Sequence, residues 1–432
     1  MNSSAVPLGS AGCDPSEGWV AAMHGLHTLE TYTLAGASQA PANAACGPCP
    51  TLYLANGDND VWAVWGGGQS GVLDNTLGDA GDIHFDPAYP KQAILTRGLN
   101  VSVAISADAN PPLPGAQING GVQPANFTVG PPCGKYPKLP PCPWGPGNPT
   151  FTQIMALPNQ SVTTPLYFAV VSPPNMPDQI VKATANPPSS TSWTPADTGS
   201  AVGYFANGSI MQLRSSYYHR LFTPLGEVRV VPQLWILAAN AQGNGQVYQG
   251  NVVNGKVAQW YQASGAGTQT IGNAADLFVN PYNSNYAWVT DLEAKTIQWT
   301  TDGGVHWNPV ASLTNIATNG GEFRFECDSP FFDYACPLSG MSFSRLNPGI
   351  VVAVLYPGGV AYSNTSGNSW APLPGVTAAL PHAAGVGQNL PGYPISVWFD
   401  DNPVFGTPAI YVSLHWNRTI RIDGDFNALP EQ

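Results

Sequence analysis

Charge is what this sequence has least of. Only 9% of its 432 residues are Asp, Glu, Lys or Arg, against about 25% in an average globular chain. The 14 basic residues form no cluster and the formal net charge is −12 at pH 7. Nucleic-acid binding, which depends on arrays of Lys and Arg facing phosphate, is therefore not expected. Long apolar runs are missing too: no stretch approaches the roughly eighteen residues of a membrane-spanning helix. Residues 1–10 carry no apolar signal core, so a secreted form implies a leader already removed or lying outside these residues. Catalytic signatures are equally scarce. The histidines at 24, 27, 84, 219, 306, 382 and 415 have no metal-ligand spacing, and no serine sits in a Gly-x-Ser-x-Gly elbow.

What is present is turn and core. The chain has 47 Gly and 43 Pro, which punctuate it, while 43% hydrophobic content and 13 Trp exclude disorder. With so little charge, solubility must come from neutral polar groups or from sugar. Asn-x-Ser/Thr sequons stand at Asn2, Asn100, Asn126, Asn159, Asn207, Asn364 and Asn417, and they suggest a secreted or cell-surface glycoprotein.

The seven cysteines agree with that compartment. Cys133 and Cys142 flank one small loop, Cys327 and Cys336 another, and each pair reads as a local disulfide. Cys13, Cys46 and Cys49 leave one thiol unpaired. Cys46-Gly-Pro-Cys49 matches a thioredoxin-like redox tetrapeptide, but Pro50 follows at once and Leu52 to Leu54 read as strand rather than helix. A structural disulfide fits this better than a redox site.

The most informative stretch is residues 294–310. Thr296 to Thr300 alternate as a strand does, and 301–304 reads Thr-Asp-Gly-Gly, a turn in which Asp accepts backbone N–H groups and Gly takes positive φ. Thr300, Asp302, Gly304 and Trp307 together make Ser/Thr-x-Asp-x-Gly-x-x-Trp. Ser363, Gly367 and Trp370 repeat the spacing, with Thr365 where Asp would stand as a weaker acceptor. Upstream of the repeats come Asn/Asp-Pro turns leading into apolar strands: Asp86-Pro87, Asn280-Pro281, Asn347-Pro348 and Asn402-Pro403. A worn copy of the turn surrounds Asp423-Gly424. A period of roughly 55–65 residues with short strands signals propeller blades.

These turns resemble the Asp-box of BNR-repeat, sialidase-like β-propellers. The resemblance implies an all-β fold, a single seven-bladed propeller with six blades as the alternative, in which the box residues are structural. Residues 1–50 would lead into the first blade and residues 51–432 would form the propeller, with the last strand pairing with the first blade. Trp19 to Tyr32 reads as a strand pair. Leu166 to Val171, Gln179 to Lys182, Gln233 to Ala238 and Gln246 to Gln249 read as strands of the third and fourth blades, with Asn254-Gly255 as a hairpin turn.

Residues 110–150 break the pattern. Twelve prolines fall between Pro111 and Pro149, so this segment cannot be ordinary sheet. It reads as an extended inserted loop pinned by Cys133 and Cys142. Tyr136 and Trp144 would anchor it either on its own domain or on a second copy, so that self-association would run through 111–149.

Chemistry is hard to place. The acidic, Gly-rich loops holding Asp58, Asp60, Asp79 and Asp82 resemble loops at the mouth of BNR propellers. Three readings stay open: turn capping, a calcium site needing six or more oxygens, and a glycoside hydrolase acid/base pair. Sialidases need three converging arginines. The nearest match to their Arg-Ile-Pro signature, residues 228–232, carries an inserted residue. Xyloglucanase-type enzymes place two Asp across a cleft between two propellers, and residues 97–100 offer no carboxylate. Glu322, Arg324 and Glu326 alternate as one strand face would.

The reading that results is a non-catalytic, extracellular, N-glycosylated propeller that binds a carbohydrate or protein partner, with no cofactor. A hydrolase and a peptide-binding ectodomain like that of sorting receptors are the alternatives.

Overall fold

A computed structural model describes residues 19–21, 30–36, 50–57, 61–65, 69–74, 83–85, 92–97, 100–105, 125–127, 150–157, 166–172, 178–183, 193–196, 210–222, 228–240, 242–266, 269–327, 336–344, 346–356, 359–373, 394–401, 408–414, 419–424 and 426. The fold is a β-propeller. Its described strands form seven four-stranded antiparallel sheets and a two-stranded ribbon, Gly265–Ala266 with Gln269–Thr270.

Sheet one holds Glu30–Gly36, Pro50–Gly57, Val61–Trp65 and Gln69–Asp74. Sheet two holds Ile83–Phe85, Gln92–Arg97, Asn100–Ile105 and Ala125–Phe127. Sheet three holds Thr150–Leu157, Leu166–Ser172, Gln179–Ala183 and Trp193–Pro195. Sheet four holds Ile210–Phe222, Val228–Ala239, Gly245–Val253 and Lys256–Gln262. Sheet five holds Ala274–Val279, Ala287–Asp291, Thr296–Thr300 and Asn308–Pro309. Sheet six holds Gly340–Phe343, Val351–Leu355, Gly359–Ser363 and Ala371–Pro372. Sheet seven holds Pro394–Asp400, Ala409–Leu414 and Thr419–Asp423, and takes its fourth strand, Trp19–Ala21, from the other end of the chain.

This closure differs from the expectation that the last strand joins the first blade. Trp19, Val20 and Ala21 pair instead with Ile422, Arg421 and Ile420. Trp19 to Tyr32 therefore contains two strands that belong to different sheets and do not pair with each other. A second correction concerns the proline-rich segment. Ala125–Phe127 pairs with Val103, Ser102 and Val101 and completes sheet two.

The chain divides into two compact units. One comprises Met1–Gly81, Ser106–Val122 and Ser312–Gln432; the other comprises Asp82–Ile105 and Gln123–Ala311. In the second unit, sheet four shows why its strands read as unbroken apolar runs. Successive side chains of a strand point to opposite faces. Leu234, Ile236 and Ala238 pack with Met155, Phe168 and Val170 of sheet three. Trp235 and Leu237, from the same strand, pack with Leu277, Val279, Ala287 and Val289 of sheet five. Both faces are core, so alternation of apolar and polar residues is lost.

The first unit repeats the arrangement in sheet seven. Val397, Phe399, Ile410 and Val412 pack with Val352, Val354 and Val360 of sheet six. Trp398, Ala409 and Tyr411 pack with Leu34, Leu52 and Leu54 of sheet one. The Trp398 and Tyr411 rings stack with centroids 5.2 Å apart.

One correction falls between sheets five and six. Residues 322–326 are not a strand. The helix α1, Ala311–Ala317, buries Leu313 and Ala317 one turn apart and is followed by the 3-10 turn Asn319–Gly321. Phe323 N–H then donates to Thr318 O at 2.8 Å, so the chain is still completing the helix end where alternation suggested sheet. Arg324 and Glu326 form an exposed ion pair at 3.5 Å, of a kind that contributes little to stability. The chain then enters the disulfide Cys327–Cys336.

The packing of sheet one on sheet seven yields a prediction. A Cβ on Gly36 would lie 2.0 Å from the Trp398 indole. Gly36→Ala should therefore destabilise the chain by about 1–3 kcal/mol, read as a lowered denaturation midpoint. Adding Trp398→Leu should recover part of the loss, and an unchanged midpoint in Gly36→Ala would contradict this packing.

Candidate functional site

The four loop carboxylates singled out in the sequence, Asp58, Asp60, Asp79 and Asp82, lie outside the described residues, and so does the calcium reading that rests on them. Cys13, Cys46, Cys49, Cys133, Cys142, Tyr136, Trp144 and the sequons at Asn2, Asn159, Asn207 and Asn417 also lie outside them. Asn100 opens a strand of sheet two and Asn126 lies within its edge strand. Asn364 is half-buried beside the turn that follows Gly359–Ser363. The polar chemistry that is described gathers at the sheet turns and between the first strands of sheets four and five.

The turn after Thr296–Thr300 is organised on a buried hydroxyl. Thr300 Oγ1 donates to Asp302 Oδ1 at 2.8 Å and accepts the Gly304 N–H at 2.9 Å. Asp302 Oδ1 also accepts the His306 N–H at 2.9 Å, and Oδ2 meets His306 Nδ1 at 2.6 Å. Gly304 has φ 84 and a Cβ there would lie 2.6 Å from Ala263 Cβ, so position and conformation both call for glycine. Trp307 is 1% exposed, and its indole N–H donates to Ala263 O of the neighbouring sheet at 2.6 Å.

The second copy of the turn has the same wiring. Ser363 Oγ accepts the Gly367 N–H at 2.9 Å, and Thr365 Oγ1 accepts the Ser369 N–H at 2.9 Å. Thr365 thus takes the bond that Asp302 takes in the first copy, without its charge. The tryptophans differ. Trp370 donates to Gly367 O within its own turn at 2.9 Å, whereas Trp307 bridges two sheets.

Another carboxylate escaped sequence reasoning. Asp291 is 1% exposed and accepts from five donors: the N–H groups of Gly272, Asn273, Glu293 and Ala294, and Gln298 Nε2 at 2.7 Å. Convergent N–H dipoles compensate its burial. The available signal was an Asp at the end of a strand followed by the polar run 293–295, an Asx-turn pattern. Asp401 is used similarly, accepting from Ser344 Oγ at 2.6 Å and Leu346 N at 2.8 Å.

Between sheets four and five, Gln212 acts as a two-way clamp. Its Nε2 donates to Asp276 Oδ1 at 2.7 Å and its Oε1 accepts the Leu277 N–H at 2.8 Å. Arg214 Nε donates to Leu277 O at 3.2 Å, and its guanidinium lies 5.9 Å from the Phe278 ring centroid. Ser216 Oγ donates to Asn280 O at 3.1 Å. These partners are separated by more than sixty positions in the chain, so no local pattern announces them; Gln212 to Asp276 spans 64. Asp276 is only half-buried as a residue, yet its carboxyl is shielded from water. Burial pushes it up to about 6, against the opposing pull of Gln212 and the Arg214 charge.

Two predictions follow from these carboxylates. Burial acts to raise Asp302, but hydrogen bonds from the His306 backbone and ring and from Thr300, with the His306 charge, hold it below its ordinary value. Its stabilisation is therefore complete above the ordinary carboxylate range and is lost as pH falls through its lowered folded value. Asp302→Ala should cost about 1–2 kcal/mol at neutral pH and lose that acid dependence, measured by thermal melts across the acid range. A fully folded Asp302→Ala variant of unchanged stability would contradict the structural role.

For Asp276 the sign is reversed. Between about 4, the ordinary carboxylate value, and about 6, the folded chain keeps a proton that the unfolded chain has released. Stability should fall as pH rises through that window, and Asp276→Asn should flatten the fall. Parallel melting curves for the two proteins across the window would refute the shift.

No protein-family model matches the chain, and no curated protein matches it. Solved structures similar to it include YCF48 bound to D1 peptide, at TM-score 0.47 and 12% identity, covering 94% of this chain and 97% of that one. YCF48 from Cyanidioschyzon merolae matches at TM-score 0.49 and 11% identity, over 94% of this chain and 98% of that one. The WD40 β-propeller domain of Doa1 matches at TM-score 0.43 and 10% identity, over 95% and 98%. At these levels the likenesses add nothing to the account of this chain's chemistry, which stands on its own strand pairing and side chains.

Proposed function

We propose that this chain is a non-catalytic β-propeller of the BNR/Asp-box type that binds a protein or carbohydrate partner outside the cell. The observation that carries the reading is the use made of the described carboxylates. Asp291 accepts four backbone N–H groups, Asp302 accepts the His306 N–H, Asp401 accepts the Leu346 N–H, and Asp276 is held by Gln212. A carboxylate whose oxygens hold a turn or a neighbouring strand in place is committed to that contact, and using it in chemistry would loosen the structure around it. Such groups build turns, and well-built turns present a rigid surface for recognition.

The extracellular part of the proposal is supported by the Cys327–Cys336 disulfide and by a sequon asparagine, Asn364, at a sheet turn. In this reading the sequons carry glycans that offset the low charge, and the proline-rich residues 111–149 reach a neighbouring copy.

Purified full-length protein tested on glycan arrays, against immobilised extracellular proteins and in glycoside hydrolysis assays separates the readings. Binding with no turnover is expected, and it should persist in a variant with Asn at positions 58, 60, 79 and 82. Hydrolysis that is abolished by those substitutions would establish the enzyme instead.

A further inference from the structure

Among the described residues the exposed large apolar side chains are Val253, Tyr261, Val305 and Leu346. Two of them, Tyr261 and Val305, flank the contact between sheets four and five. Tyr261 belongs to Lys256–Gln262 and stands opposite Gln249 in register. Directly opposed side chains of a sheet are about 5 Å apart. From there Gln249 reaches the turn after Thr296–Thr300, where its Nε2 donates to Gly303 O at 2.7 Å. Ala263 lies two residues beyond Tyr261, on the same face and about 7 Å along the chain. Its carbonyl receives the Trp307 indole N–H at 2.6 Å, and a Cβ on Gly304 would strike it. The Gly265 N–H donates to Gly304 O at 3.1 Å. These bonds fix the turn, with Val305 and His306 at its apex, beside the strand that carries Tyr261.

The groups at this place are presented to solvent. Tyr261 is 49% exposed, Val305 is 51% exposed and the His306 side chain 55%. The Tyr261 hydroxyl donates to Gln259 Oε1 at 3.0 Å, which steadies the ring and leaves the exposed Gln259 amide to donate outward. His306 Nδ1 faces Asp302 Oδ2 at 2.6 Å, so Nε2 is the ring nitrogen left to meet a ligand. Gln249 spends Nε2 on Gly303 and keeps Oε1 as an acceptor. The chemistry offered is one flat apolar ring bordered by amides and an imidazole. A pyranose is its complement, because it has an apolar C–H face of about the same size and hydroxyl groups around its rim. A stable protein partner would need about 20–30 residues on this side, far more than gather here. Resting on the binding role given above, we propose that Tyr261, Gln259, Gln249 and His306 form a subsite for one neutral sugar ring, stacked on Tyr261 with its hydroxyls bonded by the amides and by His306 Nε2.

The test uses the full chain with isotope-labelled tyrosine and histidine, followed by NMR, the Tyr261 and His306 signals being assigned from Tyr261→Ala and His306→Gln. The probes are chitotriose, mannotriose and cellotriose, with hexaglutamine as an uncharged peptide control. At least one trisaccharide at millimolar concentration should shift the Tyr261 and His306 signals together. Tyr261→Ala should weaken that binding about tenfold or more, while Tyr261→Phe, which keeps the ring, should weaken it less. His306→Gln should weaken it severalfold, and hexaglutamine should shift neither signal. Far-ultraviolet circular dichroism and melting curves confirm that each variant is folded. The proposal is overturned if no trisaccharide moves the two signals, or if folded Tyr261→Ala binds as the parent does. It is also overturned if hexaglutamine moves them and the sugars do not. Should a glycan or protein found by array or immobilised-protein screening bind folded Tyr261→Ala with unchanged affinity, this subsite fails while the general binding role survives.

Discussion

The structure depends on one constraint: its central strands have no solvent face. In sheet four, residues 234, 236 and 238 enter one core and residues 235 and 237 another. In sheet seven, residues 397 and 399 face sheet six while Trp398 faces sheet one. A strand with core on both sides can hold few polar side chains, because each would need a buried partner. Asp291 and Thr300 are such buried polar residues, and they sit at strand ends where a turn supplies donors, while the buried Gln298 finds its partner in Asp291. The low charge of the chain follows, since strands with core on both faces leave little room for ionised groups.

That constraint explains the division of labour among the carboxylates. Asp291 satisfies backbone from both sides of its own sheet's connections, reaching Gly272 and Asn273 before the first strand as well as Glu293 and Ala294 after the second. Asp302 fixes the turn that presents Trp307 to Ala263, and so joins sheet five to sheet four. Replacing Asp by Thr in the second copy keeps the acceptor and discards the charge. Trp370 then bonds within its own turn. The motif is therefore a way to close a hairpin over a buried hydroxyl, to which inter-sheet bridging is added in only one of the two copies.

Sequence made much of this legible. The alternation at Thr296–Thr300, the Asn-Gly hairpin at 254–255 and the Asn-Pro turns are local signals, and local physics decides them. Asn280 Oδ1 does accept the Tyr282 N–H at 2.9 Å, and Asn347 Oδ1 the Gly349 N–H at 3.1 Å. Reasoning failed where partners are distant or where helix and strand periods coincide over a few residues. Nothing near Trp19 announces Ile422 as its partner, and nothing near Gln212 announces Asp276. The 322–326 alternation looked like strand because five residues cannot distinguish an irregular helix exit from a sheet. The edge strand Ala125–Phe127 was hidden by the prolines on either side of it.

If the carboxylates are architectural, the groups they bond must be as protected as the strands themselves. Native-state hydrogen exchange at the Gly272, Asn273, Glu293 and Ala294 amides measures this directly, because their bonds run to Asp291 rather than to a sheet ladder. The account predicts protection close to that of the ladder amides of Ala287–Asp291, lost only with unfolding of the surrounding sheet. Exchange at the rates of open loops would mean that Asp291 is not committed to the backbone, and would contradict the view that this chain's acidic groups serve structure.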